Sequence, residues 1–316
     1  MHTWGIGDWI CFTPVLRALK VNFPQASFDL ILGDAGVRQV LEFFPEVHLQ
    51  AMVEVVRHPW SMLLASLKTR PRRYDALVFT AGIASHKADF MSLLIKAGHK
   101  VALTTQGSRH LFLTRTSPYD NPRHRVENNL KLLPLLGINE IPANPYPYLP
   151  FHGPPPEKGS VLIHPGCGKL QAVRRWPEAR FAQVAKGLLG QGRRVGVILG
   201  PQDLELAGAF SHLAGQRGFT LYQRLSFREA VAVMASHETL CNSDSGLGHV
   251  AAALGRPVVS IFGPADPVAT RPYSKEAVII TATPRLPCMP CWGKSYGCSE
   301  RPCLFNISAD MVLEVL

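Results

Sequence analysis

At 316 residues the chain is long for one hydrophobic core and comfortable for two domains of ordinary size. Its 47% hydrophobic and 18% charged residues describe a globular enzyme and exclude a disordered chain, and no apolar run approaches the ~18 residues of a membrane-spanning helix. A net charge of +10 favours anionic partners: nucleotides, phosphorylated glycans or acidic lipid headgroups.

Nucleic acid is the weaker partner, because the basic residues are scattered and not interleaved with aromatics in stripes. No basic segment followed by an apolar one opens the chain, so the expected location is cytoplasmic. The chain begins with Gly5-Ile6-Gly7-Asp8, read as a flexible glycine loop, then Thr13 as a helix N-cap and Pro14 at the first helical position. A carboxylate on such a loop can accept a proton from an attacking sugar hydroxyl, although Asp8 could equally cap the helix. Strands are expected over Phe28–Leu32, Ala76–Phe79 and Lys100–Leu103, with helices over Ala35–Phe44, Ser85–Ala97 and Val126–Leu136.

Residues 1–145 form the expected first domain, and prolines crowd 141–156, so residues 146–157 read as an extended linker. The second domain, 158–316, repeats the alternation, with strands at Val161–His164, Val195–Leu199, Thr220–Tyr222, Thr239–Asn242 and Val258–Phe262. Alternating strands and helices predict parallel sheets wound on both faces, α/β in class, with ligands outside the strands' carboxyl ends in a cleft between the domains. Only four residues precede Gly5, and Ala309–Leu316 stops after roughly two helical turns. The natural protein is therefore expected to extend beyond one or both ends.

Three stretches of the second half carry candidate chemistry. Asn242–His249 is a polar glycine turn opening a helix near Gly246, which Gly255 closes. Such a helix start offers backbone N–H groups and positive dipole to a diphosphate, with Gly246 and Gly248 permitting close approach. Asp244 cannot bind phosphate directly and is expected to hold the loop or a sugar hydroxyl. His164–Lys169, with Arg174 and Arg175, is a second phosphate-friendly turn whose cations could neutralise a departing diphosphate. Finally Cys288, Cys291, Cys298 and Cys303 have spacing tight enough to surround one structural zinc or iron, or else serve as small core residues.

In order along the chain, Gly7-Asp8, Thr13–Leu19, His124–Gly137, His164-Pro165-Gly166, Trp176-Pro177-Glu178, Asn242–His249 and Ile261–Pro267 resemble glycosyltransferase family 9, the ADP-heptose:lipopolysaccharide heptosyltransferases. The resemblance implies a GT-B fold of two Rossmann-like domains facing a cleft. It implies an inverting transfer of heptose from ADP-heptose to a lipopolysaccharide inner-core hydroxyl, without a catalytic metal. Asp8 falls on the family's general base, and Arg174 falls where a lysine usually contacts the donor phosphates, with Gly166 and Cys167 on the same loop. Asp244, Ser245, Gly246, Leu247, Gly248 and His249 fall on the donor-binding loop, and Asp203 or Glu205 falls near the adenosine ribose. A serine on a surface protein is the rival acceptor, and a non-catalytic nucleotide-sugar-binding homologue is the rival class. A lipopolysaccharide acceptor would bring the enzyme to the anionic inner face of the inner membrane.

Overall fold

The computed structural model describes residues 1–2, 5–52, 60–69, 72–80, 85–105, 107–140, 142–293, 298 and 300–316. They fall into two compact units, Met1–Pro150 and Phe151–Leu316. No helix among the described residues is long and apolar enough to cross a membrane.

The first unit contains β1 (Phe28–Leu32), β2 (Val47–Met52), β3 (Tyr74–Val78), β4 (Ala97–Thr104) and β5 (Arg115–Pro118). β1 pairs in parallel with β2, and β3, β4 and β5 form a second parallel ladder in that order. Met1 and His2 join the two ladders. His2 pairs with Leu32 and donates its N–H to Ile31 O at 2.9 Å, while Thr80 N donates to Met1 O at 3.2 Å. The terminal amine donates to Val78 O at 2.6 Å, and its burial brings its pKa down to about 5. Two residues thus stand where a central strand would, giving the wound order β2-β1-β3-β4-β5 around them.

Several local readings change in this unit. Gly5–Asp8 is not a loop, because Ile6–Ile10 forms a one-turn helix that buries Trp9 and Ile10. Trp9 stacks against Phe12 and Phe44, with ring centroids about 6 Å apart, and this packing pulls the turn inward. Thr13 is not the N-cap: it is the first residue of the Thr13–Asn22 helix, behind Phe12, and Pro14 follows it. Its hydroxyl instead donates to Ile10 O at 2.8 Å, satisfying a carbonyl freed where the preceding turn ends. The expected helix over 126–136 divides into Arg125–Leu130 and Leu132–Leu135, since Pro134 has no N–H to continue the first segment. The helix from Ser85 ends at Leu94, because Ala97 already enters β4.

The second unit holds β6 (Glu157–His164), β7 (Val195–Leu199), β8 (Phe219–Gln223), β9 (His237–Ser243), β10 (Val258–Ile261) and β11 (Ala277–Ile280). All six are parallel, in the order β11-β10-β9-β6-β7-β8. β7 and β10 are buried throughout, as strands covered on both faces by helices must be. The core gathers Val161, Ile163, Trp176, Phe181, Val197 and Ile261 with Leu304, Ile307 and Val312 from the chain's last turns. The strand order reverses between β6 and β9, so the crevice at their carboxyl ends is the natural ligand position.

Residues 142–156 form neither helix nor strand, and Ile141, at the start of this proline-rich stretch, lies outside the described residues. The stretch is not free along its whole length. Tyr148 N donates to Thr13 Oγ at 3.0 Å, and the Arg17 guanidinium lies 4.1 Å from the Tyr148 ring, so this part belongs to the first unit.

Candidate active site

In the second unit two loops flank the β6/β9 switch point. One leaves β6 through Pro165, Gly166, Cys167 and Gly168 into a short 3-10 helix, Lys169–Arg174. The other leaves β9 through Asp244 and Ser245 into the helix Gly246–Ala253, where Gly255, at φ +72°, follows the last turn as expected. Trp176 is buried because its N–H donates to Ser243 Oγ at 3.1 Å and its ring nitrogen to Ile307 O at 3.2 Å. Ser243 in turn donates to Pro165 O at 3.1 Å, so one hydroxyl sews the two loops together.

The Gly246–Ala253 helix has Ser245 in the N-cap position without a side-chain cap hydrogen bond. Its opening N–H groups therefore keep their donor capacity for an anion. Ser245, Gly246 and Leu247 are half-exposed at this helix start, whereas Asp244, Gly248 and His249 are buried. Gly248 has a packing reason to be glycine: a Cβ there would meet the Asn242 amide at 2.7 Å. That amide is fixed by Ser260, whose hydroxyl donates to Asn242 Oδ1 at 2.7 Å.

Arg174 reaches across the switch point to Asp244, Nη1 to Oδ2 at 3.2 Å, with the arginine side chain 22% exposed and the aspartate 5%. A guanidinium carries five donors, so this contact leaves others for a ligand oxygen. In this structure the Asp244 carboxylate is engaged by Arg174. Asp203 and Glu205, placed near a ribose from sequence, both engage Arg175, at 2.7 and 3.2 Å. Asp203 also accepts from Gly168 N at 3.3 Å and stands where a Cβ on Gly166 would lie, 2.2 Å away. Gly166 is therefore a close-approach glycine, and Asp203 is the internal post on which the β6 loop rests.

Burial governs the titrating groups here. The Cys167 thiol is pushed up to about 11, by desolvation first and by Asp203 against the opposing pull of Arg175, and it donates to Gln171 O at 3.0 Å. His164 is driven below the ordinary imidazole value by burial, and its Nδ1 lies 3.0 Å from Ile198 O. The thiol and the imidazole are both neutral at pH 7, so the arginines supply the positive charge of this loop.

The cysteine segment packs on the same loop. Cys291 N and Trp292 N both donate to Pro264 O, at 3.0 and 2.8 Å. The Arg174 guanidinium lies 5.7 Å from the Trp292 ring centre, and Arg301 Nη1 donates to Ala172 O at 3.1 Å. The Cys303 thiol is raised first by burial and then by the charges of Cys291, Cys298 and Cys288. Cys288 and Cys298 are exposed, and no three metal-ligating side chains converge on one point among the described residues. Residues 294–297 and 299, inside this segment, lie outside them.

In the first unit Asp8 lies in the first turn of the Ile6–Ile10 helix. It caps nothing. Its carboxylate makes an ion pair with Arg125, which opens the Arg125–Leu130 helix, and both side chains are about one-fifth exposed. Sequence reading missed Arg125, Ser243 and Trp292, and it named Arg175 only as a possible phosphate cation, not as the partner of Asp203 and Glu205. Arg175 stood beside Arg174 in a basic run that gave no sign of which arginine faced inward. The other three act through partners distant in sequence, and no local pattern announces such pairs.

Two Rossmann-like α/β units, with glycine loops at the switch point of the second, make a GT-B fold. The glycosyltransferase family 9 (heptosyltransferase) model matches residues 66–302, and the chain belongs to that family. The lipopolysaccharide heptosyltransferase 1 of Pseudomonas aeruginosa is 32% identical over 96% of this chain and 87% of its own length. The lipooligosaccharide heptosyltransferase 2 of Haemophilus influenzae is also 32% identical, over 87% of this chain and 85% of its own. Among solved structures, the E. coli heptosyltransferase WaaC with ADP superposes with a TM-score of 0.77 at 20% identity, covering 99% of this chain and 98% of that one. A family 9 glycosyl transferase from Veillonella parvula gives 0.78 at 20% identity, covering 100% and 94%.

Proposed function

We propose that the chain transfers a heptose from ADP-heptose to a hydroxyl of a lipopolysaccharide inner core, with inversion at the anomeric carbon. The observation that carries this is the pair of loops at the β6/β9 switch point, where an uncapped helix start faces the arginine that spans to Asp244. The diphosphate lies against the N–H groups of Gly246 and Leu247, with Arg174 on its far side and Ser245, Gly248 and His249 completing the turn. Gly166 and Cys167 form the floor beside it, and Asp203 and Glu205 act on the nucleotide side through Arg175.

Chemically, the acceptor hydroxyl gives its proton to the Asp8 carboxylate as its oxygen bonds to the anomeric carbon. The bond from that carbon to the phosphate oxygen breaks in the same step, and ADP leaves with its charge held by Arg174 and the helix dipole. Arg125 aims the Asp8 carboxylate through their ion pair. No step needs a metal.

Cys288, Cys291, Cys298 and Cys303 suit one zinc or iron by their softness and spacing, in a structural place with no open position. Such an ion would lock the cysteine segment onto the Lys169–Arg174 turn, and elemental analysis of the purified protein would detect it. One E. coli relative by fold, TibC, is described as an iron-containing glycosyltransferase. The +10 charge suits a place at the anionic inner face of the inner membrane.

Incubation with ADP-heptose and a heptose-deficient lipopolysaccharide core, followed by mass spectrometry, tests the transfer. A product one heptose heavier is expected, with ADP released. Heptose delivered only to a protein serine would overturn the acceptor, and no consumption of ADP-heptose with either acceptor would overturn the reading.

A further inference from the structure

The outer face of the first unit carries apolar side chains that the fold leaves uncovered. The helices Trp60–Thr69 and Ser85–Leu94 lie side by side, the first against β2 and the second against β4. Their inner faces contribute Ala65, Ala88 and Met91 to the core. Their outer faces present Leu64 and Leu67 on one helix and Phe90 and Leu93 on the other, each pair one turn apart and each residue 43–60% exposed. Leu111 is 86% exposed and Phe112 is 39% exposed. These last two are held out firmly, since Asp89 on the second helix accepts from His110 Nδ1 at 2.9 Å and from Phe112 N at 3.2 Å.

Charge on this face is one-sided. Across residues 60–69, 85–96 and 107–112 the cations are Lys68, Lys87, Lys96 and Arg109, and the single acid is Asp89. Asp89 is already engaged by His110 and the Phe112 backbone. Apolar side chains held out among cations, without competing carboxylates, match the boundary of an anionic bilayer, where hydrocarbon and negative headgroups lie within a few ångströms. A second copy of this chain would bring a like-charged face, which opposes self-association.

We propose that this surface seats the first unit on the anionic face of a lipid bilayer. Leu111 and Phe112 enter the headgroup boundary, Leu64, Leu67, Phe90 and Leu93 rest on it, and the lysines meet lipid phosphates. The proposal deepens the reading of a lipid-carried acceptor. Bilayer binding is measured without donor or turnover, so the two fail separately.

The test is co-sedimentation of the full chain with phosphatidylcholine vesicles, with and without phosphatidylglycerol, at low and high salt. Binding is expected only to the anionic vesicles and is weakened by salt. Each of Lys68→Ala, Lys87→Ala and Lys96→Ala should lower partitioning about fivefold. The pair Leu111→Asp with Phe112→Asp should lower it more than tenfold, about the effect of withdrawing two large apolar side chains from hydrocarbon. Melting curves confirm folding, and the lysine series decides alone should the aspartate pair unfold the protein. Equal binding to neutral and anionic vesicles, no binding, or binding indifferent to these variants would overturn the proposal. So would a concentration-dependent dimer that the Leu64→Asp variant abolishes, since the face would then be covered by a second copy.

Discussion

The switch-point loops of the second unit and the Asp8 turn of the first are held in different ways. Ser243, Trp176, Asp203 and Arg175 tie the second unit's loops from several directions, and the carboxylates there are bonded to the loop itself. Asp8 sits on a five-residue helix and meets one cation, Arg125, while remaining about one-fifth exposed. A site that holds an anion must be preformed by many internal bonds, whereas a site that moves a proton needs one reactive carboxylate with solvent or substrate access. That contrast assigns substitutions in the two places to different kinetic constants.

The largest effect is expected at Asp8. Asp8→Asn keeps the shape and removes the proposed proton acceptor, so turnover should fall roughly 10²–10⁴-fold, the usual worth of a general base. Donor affinity, measured by calorimetry with ADP, should stay the same. If ADP binding weakened in parallel with turnover, Asp8 would be part of the binding framework and the contrast would collapse.

Next comes Arg174. Arg174→Ala removes a charge-assisted contact from the proposed diphosphate site and frees Asp244 to repel the ligand, so ADP affinity should fall roughly tenfold to a hundredfold. Arg174→Lys should recover part of that loss, because the charge remains while the fork geometry is gone. Turnover at saturating donor should change less than affinity does, the reverse of the Asp8 variant.

The same contrast explains what could be read without coordinates. β7 occupies the residues expected of it, because a strand buried in a parallel sheet is written as an unbroken apolar run, and β1 was legible from its buried Leu30-Ile31-Leu32. β5, Arg-Thr-Ser-Pro at the edge of its ladder, and β2, with its mixed polar face, carry no such run and escaped notice. The Gly246 helix start and Gly255 were legible because helix ends have local signatures; the α/β class followed from alternation, and GT-B was implied by the family resemblance of the ordered motifs. Arg125 beside Asp8 and Arg175 beside Asp203 were not. Each pair joins residues 28 or more positions apart, and only the sheet's winding brings them together.

Gly166 tests whether the second unit's loop is as rigid as its bonds suggest. In Gly166→Ala the new methyl would meet the Asp203 carboxylate at 2.2–2.3 Å, so the post supporting Gly168 and Arg175 must shift. Overpacking of this kind costs about 1–3 kcal/mol, visible as a lower urea midpoint with an unchanged slope. An unchanged midpoint would mean that the loop yields freely, and preformation would no longer distinguish it from the Asp8 turn.

The smallest effect is on acid stability. His164 and His237 both titrate below the ordinary imidazole range because burial disfavours their charged forms, with backbone carbonyls only partly opposing it. The unfolded chain takes up these protons near pH 6.5 while the folded chain resists, so stability is retained above that pH and declines as the pH falls below it. The slope contributed by each histidine is at most about 1.4 kcal/mol per pH unit. His164 lies under the β6 loop, so its protonation should weaken ADP binding along with the fold, whereas His237, at the opposite end of the sheet, should affect stability alone. Melting curves and ADP titrations of His237→Gln between pH 5 and 7.5 separate the two. A variant that flattens the acid decline in stability and leaves the pH dependence of ADP affinity intact assigns the binding response to the switch-point loops. One that flattens both would show that the far end of the sheet is coupled to the donor site.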